Sequence, residues 1–184
     1  MAIDLFEGFT NPNAGETFRC ISSTKETFVF EWTVQPGGHV PSEHIHYNQD
    51  ETFRVKQGQL LIRVNGKEHV GKPGDTFTAY KGQPHIAMNN SSDVLICEVE
   101  FSNASETFTF FQCMAGLVLD GDYDKRGQVN IPKMCYFMRR MKISSLTRPV
   151  QIPTPVFKAV ITIFYAAGVI AGWGKSYTKY TGME

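Results

Sequence analysis

A chain of 184 residues with 18 Lys and Arg against 18 Asp and Glu carries no formal net charge, which excludes the basic footprint of a nucleic-acid binder. The length fits one domain with an appendage and suffices for a core of its own. Fourteen Phe suit a β-barrel lined and plugged by rings.

Residues 1–15 show no basic region ahead of an apolar run, so no signal peptide is expected. Gly8, Asn11, Pro12, Asn13 and Gly15 mark this stretch as an arm or loop. Thr17–Ile21 alternates as a short strand. Glu26–Val34 alternates more clearly, with Phe28, Phe30 and Trp32 on one face and Val29, Glu31 and Thr33 on the other. Pro36-Gly37-Gly38 then turns the chain toward His44 and His46. These lie two residues apart, so on a strand both point to the same side. Glu51 follows and opens a run in which Glu51, Phe53 and Val55 share the inner face, with Thr52, Arg54 and Lys56 facing out. Leu60–Val64 and Lys67–Val70 flank Asn65-Gly66, a strong hairpin signal. Asp75–Ala79 is a further strand, and Lys81–Pro84 turns into the next, where His85, Ala87 and Asn89 share a face. Val94–Phe101 closes the set. Seven or eight short strands with turns between them argue for a barrel or sandwich.

After Ser102 the period changes. Ser105-Glu106 opens an expected helix with Phe108, Phe111, Met114, Ala115, Leu117 and Val118 at helical spacing, ended by Asp120-Gly121-Asp122. A second helix is expected from Pro132 to about Lys142. The proline-rich stretch Thr147–Pro155 reads as a linker or elbow, and truncation before Pro149 is expected to leave metal binding largely intact but to impair solubility or turnover. A third helix, Val156–Trp173, is apolar almost all round but short of the roughly 20 residues that span a bilayer. It is expected to dock on the barrel or in a dimer interface, with a membrane-surface contact through 156–173 as the alternative. An apolar Ala159–Trp173 face points to a homodimer. The organisation expected is an arm (1–15), a barrel (16–102) and a helical extension (103–184). Cys20, Cys97, Cys113 and Cys135 lack metal-finger or C-x-x-C spacing and read as reduced thiols of a cytoplasmic protein.

The chemistry concentrates in four residues. Any one of these histidines alone reads as a surface or core residue. Three imidazoles (His44, His46, His85) and one carboxylate (Glu51) converging on one point instead form a nitrogen and oxygen donor set for one divalent transition metal ion, such as Fe, Mn, Ni, Zn or Cu. His39 and His69 read as surface histidines. Strand parity makes Phe53, Val55 and Ala87 candidate walls of a substrate pocket, with Tyr80 at its rim. No catalytic acid or base can be named, and Glu31 and Arg63 qualify only if they face the barrel. No serine nucleophile motif, phosphate-cradling loop or nucleotide fingerprint is present.

Gly38, His44, His46, Glu51 and Gly58 match every fixed position of the pattern G(X)5HXH(X)3–4E(X)6G. Gly74, Gly82, His85 and Asn89 match G(X)5PXG(X)2H(X)3N, with Tyr80 in place of the proline. The sequence thereby resembles the cupin family. The resemblance implies a mainly β fold, a small β-barrel or jelly roll with C-terminal α-helices appended here, and a metal ion inside the barrel. It does not name a substrate. Four protein ligands on an octahedral ion leave two neighbouring positions open. The leading expectation is an oxygenase acting on a small apolar or aromatic molecule of enol or ketone type. The alternatives are a redox-neutral Lewis-acid enzyme (isomerase, cyclase, epimerase or decarboxylase) and a non-catalytic small-molecule-binding barrel.

Overall fold

In a computed structural model, residues 2–38, 42–104, 106–142 and 147–184 are described. Alternation becomes wall most plainly in β3 (Thr27–Val34), where Phe28, Phe30, Trp32 and Val34 are buried and the residues between them are not. Burying an apolar side chain of this size stabilises by about 1.5–3 kcal/mol, so a one-residue slip of the strand is ruled out. β3 lies between β2 (Glu16–Ser23) and β10 (Leu95–Ser102). Beyond β10 come β5 (Glu51–Gln57) and β8 (Thr76–Ala79). At the other edge Phe9–Asn11 pairs with β2 as strand β1, which corrects the reading of residues 1–15 as arm or loop. Three residues between Gly8 and Pro12 are too few to show a period.

The second sheet has the order β11, β4, β9, β6, β7. These are Thr147–Pro149 (β11), His44–His46 (β4), His85–Met88 (β9), Leu60–Val64 (β6) and Lys67–Gly71 (β7). Asn65 and Gly66 link β6 to β7 with positive φ of 50° and 75°, as a two-residue hairpin turn requires. Every strand pairing within the two sheets is antiparallel. Their inner faces meet in one core, where Phe53, Val55, Leu60, Ile62 and Ala87 are each exposed by 2 % or less. The result is the mainly β barrel with C-terminal helices that the sequence led us to expect.

The sequence reading took Thr147–Pro155 as linker. Thr147–Pro149 is instead an edge strand, with Thr147 opposite His46 and Pro149 opposite His44. A proline at the end of an edge strand breaks no interior ladder.

Helix α1 (Thr107–Leu119) drives Phe111 into the barrel core, its ring 4.9 Å from Phe30 and 5.1 Å from Phe28. Helix α2 (Ile131–Arg140) starts with Pro132 in its first turn and with Asn130, whose side chain accepts the Lys133 backbone N–H, a standard N-cap. The expected third helix is present as α3 (Thr154–Ile170), and a further helix that was not expected, α4 (Gly174–Thr181), meets it at 93°, across Gly172 at φ +72°. α3 docks on α2, and its first residue, Thr154, also hydrogen-bonds the Tyr47 hydroxyl beside β4. Gly168 permits this approach: a Cβ there would stand 2.4 Å from the Tyr136 ring. α4 returns to α1, where Tyr180 gives its hydroxyl proton to Asp120 and Lys179 pairs with the same carboxylate. Among the described residues no single helix is long and apolar enough to cross a membrane.

Candidate metal centre

Two neighbouring strands and one from the opposite sheet build the site. β4 and β9 pair so that His44 lies directly opposite His85. His46, two residues along β4, shares the face of His44 by strand parity. Glu51, the first residue of β5, arrives from the six-stranded sheet. The backbone holds these strand ends in place: Gly82 N–H donates to the His46 carbonyl at 2.7 Å.

The four side chains offer donor atoms that all lie within 4.8 Å of one another. His85 Nε2 is 2.8 Å, His46 Nε2 3.2 Å and His44 Nε2 3.8 Å from Glu51 Oε2. His44 Nε2 and His46 Nε2 are 3.1 Å apart. His44 Nδ1 lies 3.0 Å from the Ser42 carbonyl, and His85 Nδ1 3.0 Å from the Gln83 carbonyl. A carbonyl can only accept, so both Nδ1 atoms carry the proton and donate it. In the neutral ring each Nε2 then turns a lone pair toward Glu51, the tautomer a metal ligand needs. His46 Nδ1 is buried without a hydrogen-bond partner among the described residues, so its tautomer is set by no such tether.

The cluster is deeply buried except at His44, whose side chain is 20 % exposed against 8 %, 7 % and 1 % for His46, Glu51 and His85. Burial works to raise the Glu51 carboxyl, but hydrogen bonds from the three imidazoles outweigh it and hold the group well below the usual carboxylate range. Burial lowers His46, against the pull of Glu51. For His85 burial also acts downward, yet the Glu51 hydrogen bond and charge prevail and the imidazole is raised. Three imidazole nitrogens crowded on one carboxylate oxygen either share protons or share a cation. Holding charges here with protons alone carries a desolvation cost of several kcal/mol per ion. Three of these contacts, at 2.8, 3.1 and 3.2 Å, bring the donor atoms close enough to share one cation. The donor set fits a transition metal.

Residues 30–99 match the family model of the cupin domain. The barrel of this chain is a cupin domain. The curated relative it matches is an oxidoreductase of Arthrobotrys oligospora, 36 % identical over 52 residues. That match covers 28 % of this chain and 21 % of the relative, so the chain spans about a fifth of that protein's length. Among solved structures, TT1209 from Thermus thermophilus is 21 % identical with a TM-score of 0.48, covering 55 % of this chain and 97 % of that one. An RmlC-like cupin from Shewanella frigidimarina is 22 % identical at 0.47, covering 52 % and 82 %. A sugar phosphate isomerase of the cupin superfamily from Silicibacter pomeroyi is 22 % identical at 0.45, covering 48 % and 59 %.

Two motif positions of this cupin have plain structural work. Gly58 turns the chain at φ +75°, where a Cβ would stand 2.4 Å from the Val94 carbonyl oxygen. Asn89 is buried; its Nδ2 donates to the Val34 and Asp93 carbonyls and its Oδ1 accepts from Ser91. Phe53, Val55 and Ala87 face inward and are packed in the barrel core. Tyr80 is 60 % exposed and borders an open groove of about 320 Å³ with His69, Phe77 and Gln83. His69 is exposed, as expected, while His39 lies outside the described residues. Glu31 pairs with Arg19, and Arg63 with Glu43 and Glu68, all with partly exposed side chains, so neither serves the interior. Sequence reasoning missed Phe101, whose ring stands edge-on to His46 at 5.3 Å. Its parity with Cys97 and Val99 on β10 is the signal that places it inside.

Proposed function

We propose that this cupin is a metal-dependent enzyme that transforms a small apolar or aromatic molecule of enol or ketone type, with oxygenase chemistry as the leading reading. The observation that carries it is the tethering of His44 and His85: both spend Nδ1–H on backbone carbonyls and aim Nε2 at Glu51. Without a cation this geometry needs buried imidazolium N–H groups on Glu51; with one, the Nε2 lone pairs and the carboxylate share it. When bound, a divalent transition ion supplies Lewis acidity or a redox couple and keeps positions free for small ligands.

The chain's own residues then have separable tasks. Glu51 brings one negative charge among neutral imidazoles, which favours a divalent over a monovalent ion. Phe101, backed by Phe111 at 6.3 Å, excludes water from the His46 side. His44, the partly exposed ligand, marks the side from which a substrate reaches the centre. The same donor set also serves redox-neutral chemistry, so the deciding experiment is oxygen consumption. Protein loaded with iron, manganese, nickel or copper is offered a panel of diketones, flavonols and other enols. Stoichiometric O2 uptake with substrate loss supports the oxygenase. Substrate conversion without O2 uptake transfers the site to isomerase or decarboxylase chemistry. A loaded centre that converts none of them favours a binding role.

A further inference from the structure

The outer face of α3 is unpartnered, and its residues follow a rule. Val156, Ala159, Ile163, Ala166 and Ile170 recur at alternating spacings of three and four, the seam of a coiled coil. All five are exposed, Val156 by 50 %, Ile163 by 65 % and Ile170 by 89 %. The stripe that docks on α2 holds Phe157, Ile161 and Gly168. From Ile161 to Ile163 the helix turns about 200°, so α3 has two apolar faces on nearly opposite sides.

We propose that this seam is the contact surface for a second copy of the chain, with the two α3 helices packed antiparallel about a two-fold axis level with residue 161. In that register Val156 faces the partner's Ala166 and Ala159 faces the partner's Ile163; symmetry supplies the reverse pairs. Each of these four layers then sets one β-branched side chain against one alanine, with Ile170 lying beyond the paired stretch, and the paired patch is complementary to itself as a two-fold interface requires. A parallel pair would stack Ile163 on Ile163 and alanine on alanine, alternately wedging the helices apart and leaving voids. The positions flanking the seam, Val160, Thr162, Ala167 and Val169, are uncharged and oppose neither arrangement by repulsion.

A lipid surface suits the face less well. Helices that lie on membranes carry Lys and Arg along the polar side, whereas α3 has one charge, Lys158. Two alanines in five seam positions offer a membrane little apolar area, but they let two helices approach.

Sedimentation equilibrium of the full chain tests this, beside Ile163→Glu, whose exposed site spares the fold. We expect the parent to dimerise at tens of micromolar and Ile163→Glu to be monomeric with an unchanged circular dichroism spectrum. Oxidative cross-linking tests the register. Ala159→Cys mixed with Ile163→Cys should form the disulfide dimer, and neither variant alone should. Identical positions sit about 6 Å apart along the axis as well as about 8 Å across it, beyond disulfide reach. The four native cysteines are buried and do not compete. A monomeric parent overturns the proposal, as does an Ile163→Glu protein that remains dimeric. Efficient cross-linking of Ile163→Cys alone overturns it too, as does a parent that stays monomeric yet floats with phosphatidylserine vesicles.

Discussion

His44 and His85 face each other across adjacent antiparallel strands, and each is tethered through Nδ1 to the carbonyl two residues before it. The two rings are thus oriented by backbone carbonyls just ahead of their own strands, those of Ser42 and Gln83. The local backbone geometry of a histidine strand supplies both the position of the ligand and its tautomer.

The edge strand β11 should matter to that geometry. Arg148 donates to the Tyr47 hydroxyl and to the carbonyls of Pro149, Val150 and Ile152, fastening β11 beside β4. Arg148→Ala should weaken metal affinity about tenfold, the lower end for groups that orient ligands, while leaving most of the fold in place. Chelator competition measures this. Affinity equal to that of the parent would show that β11 is a bystander.

Glu16 gives a pH signature independent of the metal. Its carboxyl is 5 % exposed, and burial pushes it from 4.5 to about 7 against the opposing hydrogen bond from Trp32 Nε1–H. The folded state therefore holds this proton more tightly than the unfolded chain does. Its contribution to stability is complete below about pH 4.5, falls as pH rises toward 7, and is flat above. The swing is on the order of 3 kcal/mol. Glu16→Gln keeps an acceptor for Trp32 and removes the titration, so its advantage over the parent should grow from pH 5 to pH 8 in urea melts. A constant difference across that range would refute the assignment.

Gly168 sets two magnitudes against each other. Alanine improves helix propensity by about 1 kcal/mol over glycine, but here its Cβ would stand 2.4 Å from Tyr136 and 2.6 Å from Trp173. Overpacking of this kind costs about 1–3 kcal/mol, and the obstacles are rings packed between helices. Gly168→Ala should therefore destabilise despite its propensity, read as a lower urea midpoint. A stabilised variant would mean that α3 is free to shift.

The ligand cluster was legible because strand parity is a local property: His44 and His46, then Glu51, Phe53 and Val55, declare their face within a few residues. The asparagine-glycine hairpin and the alternation of β3 were legible for the same reason. What stayed hidden depends on distant pairing. β1 and β11 have three residues each and no readable period, and only their partners make them strands. Helix α4 was hidden by composition, since its eight residues, Gly174–Thr181, are mostly polar and show too few apolar positions to declare a face.

Elemental analysis of the purified parent beside His46→Ala tests the metal centre most directly. His46 is buried, contacts both His44 and Glu51, and its loss leaves an under-coordinated site. We expect about one divalent transition metal ion per chain in the parent, after reconstitution if necessary, and loss of most of it in a variant whose circular dichroism is unchanged. A parent that binds no transition metal, or a His46→Ala protein loaded to the parent's level, would contradict the centre described above.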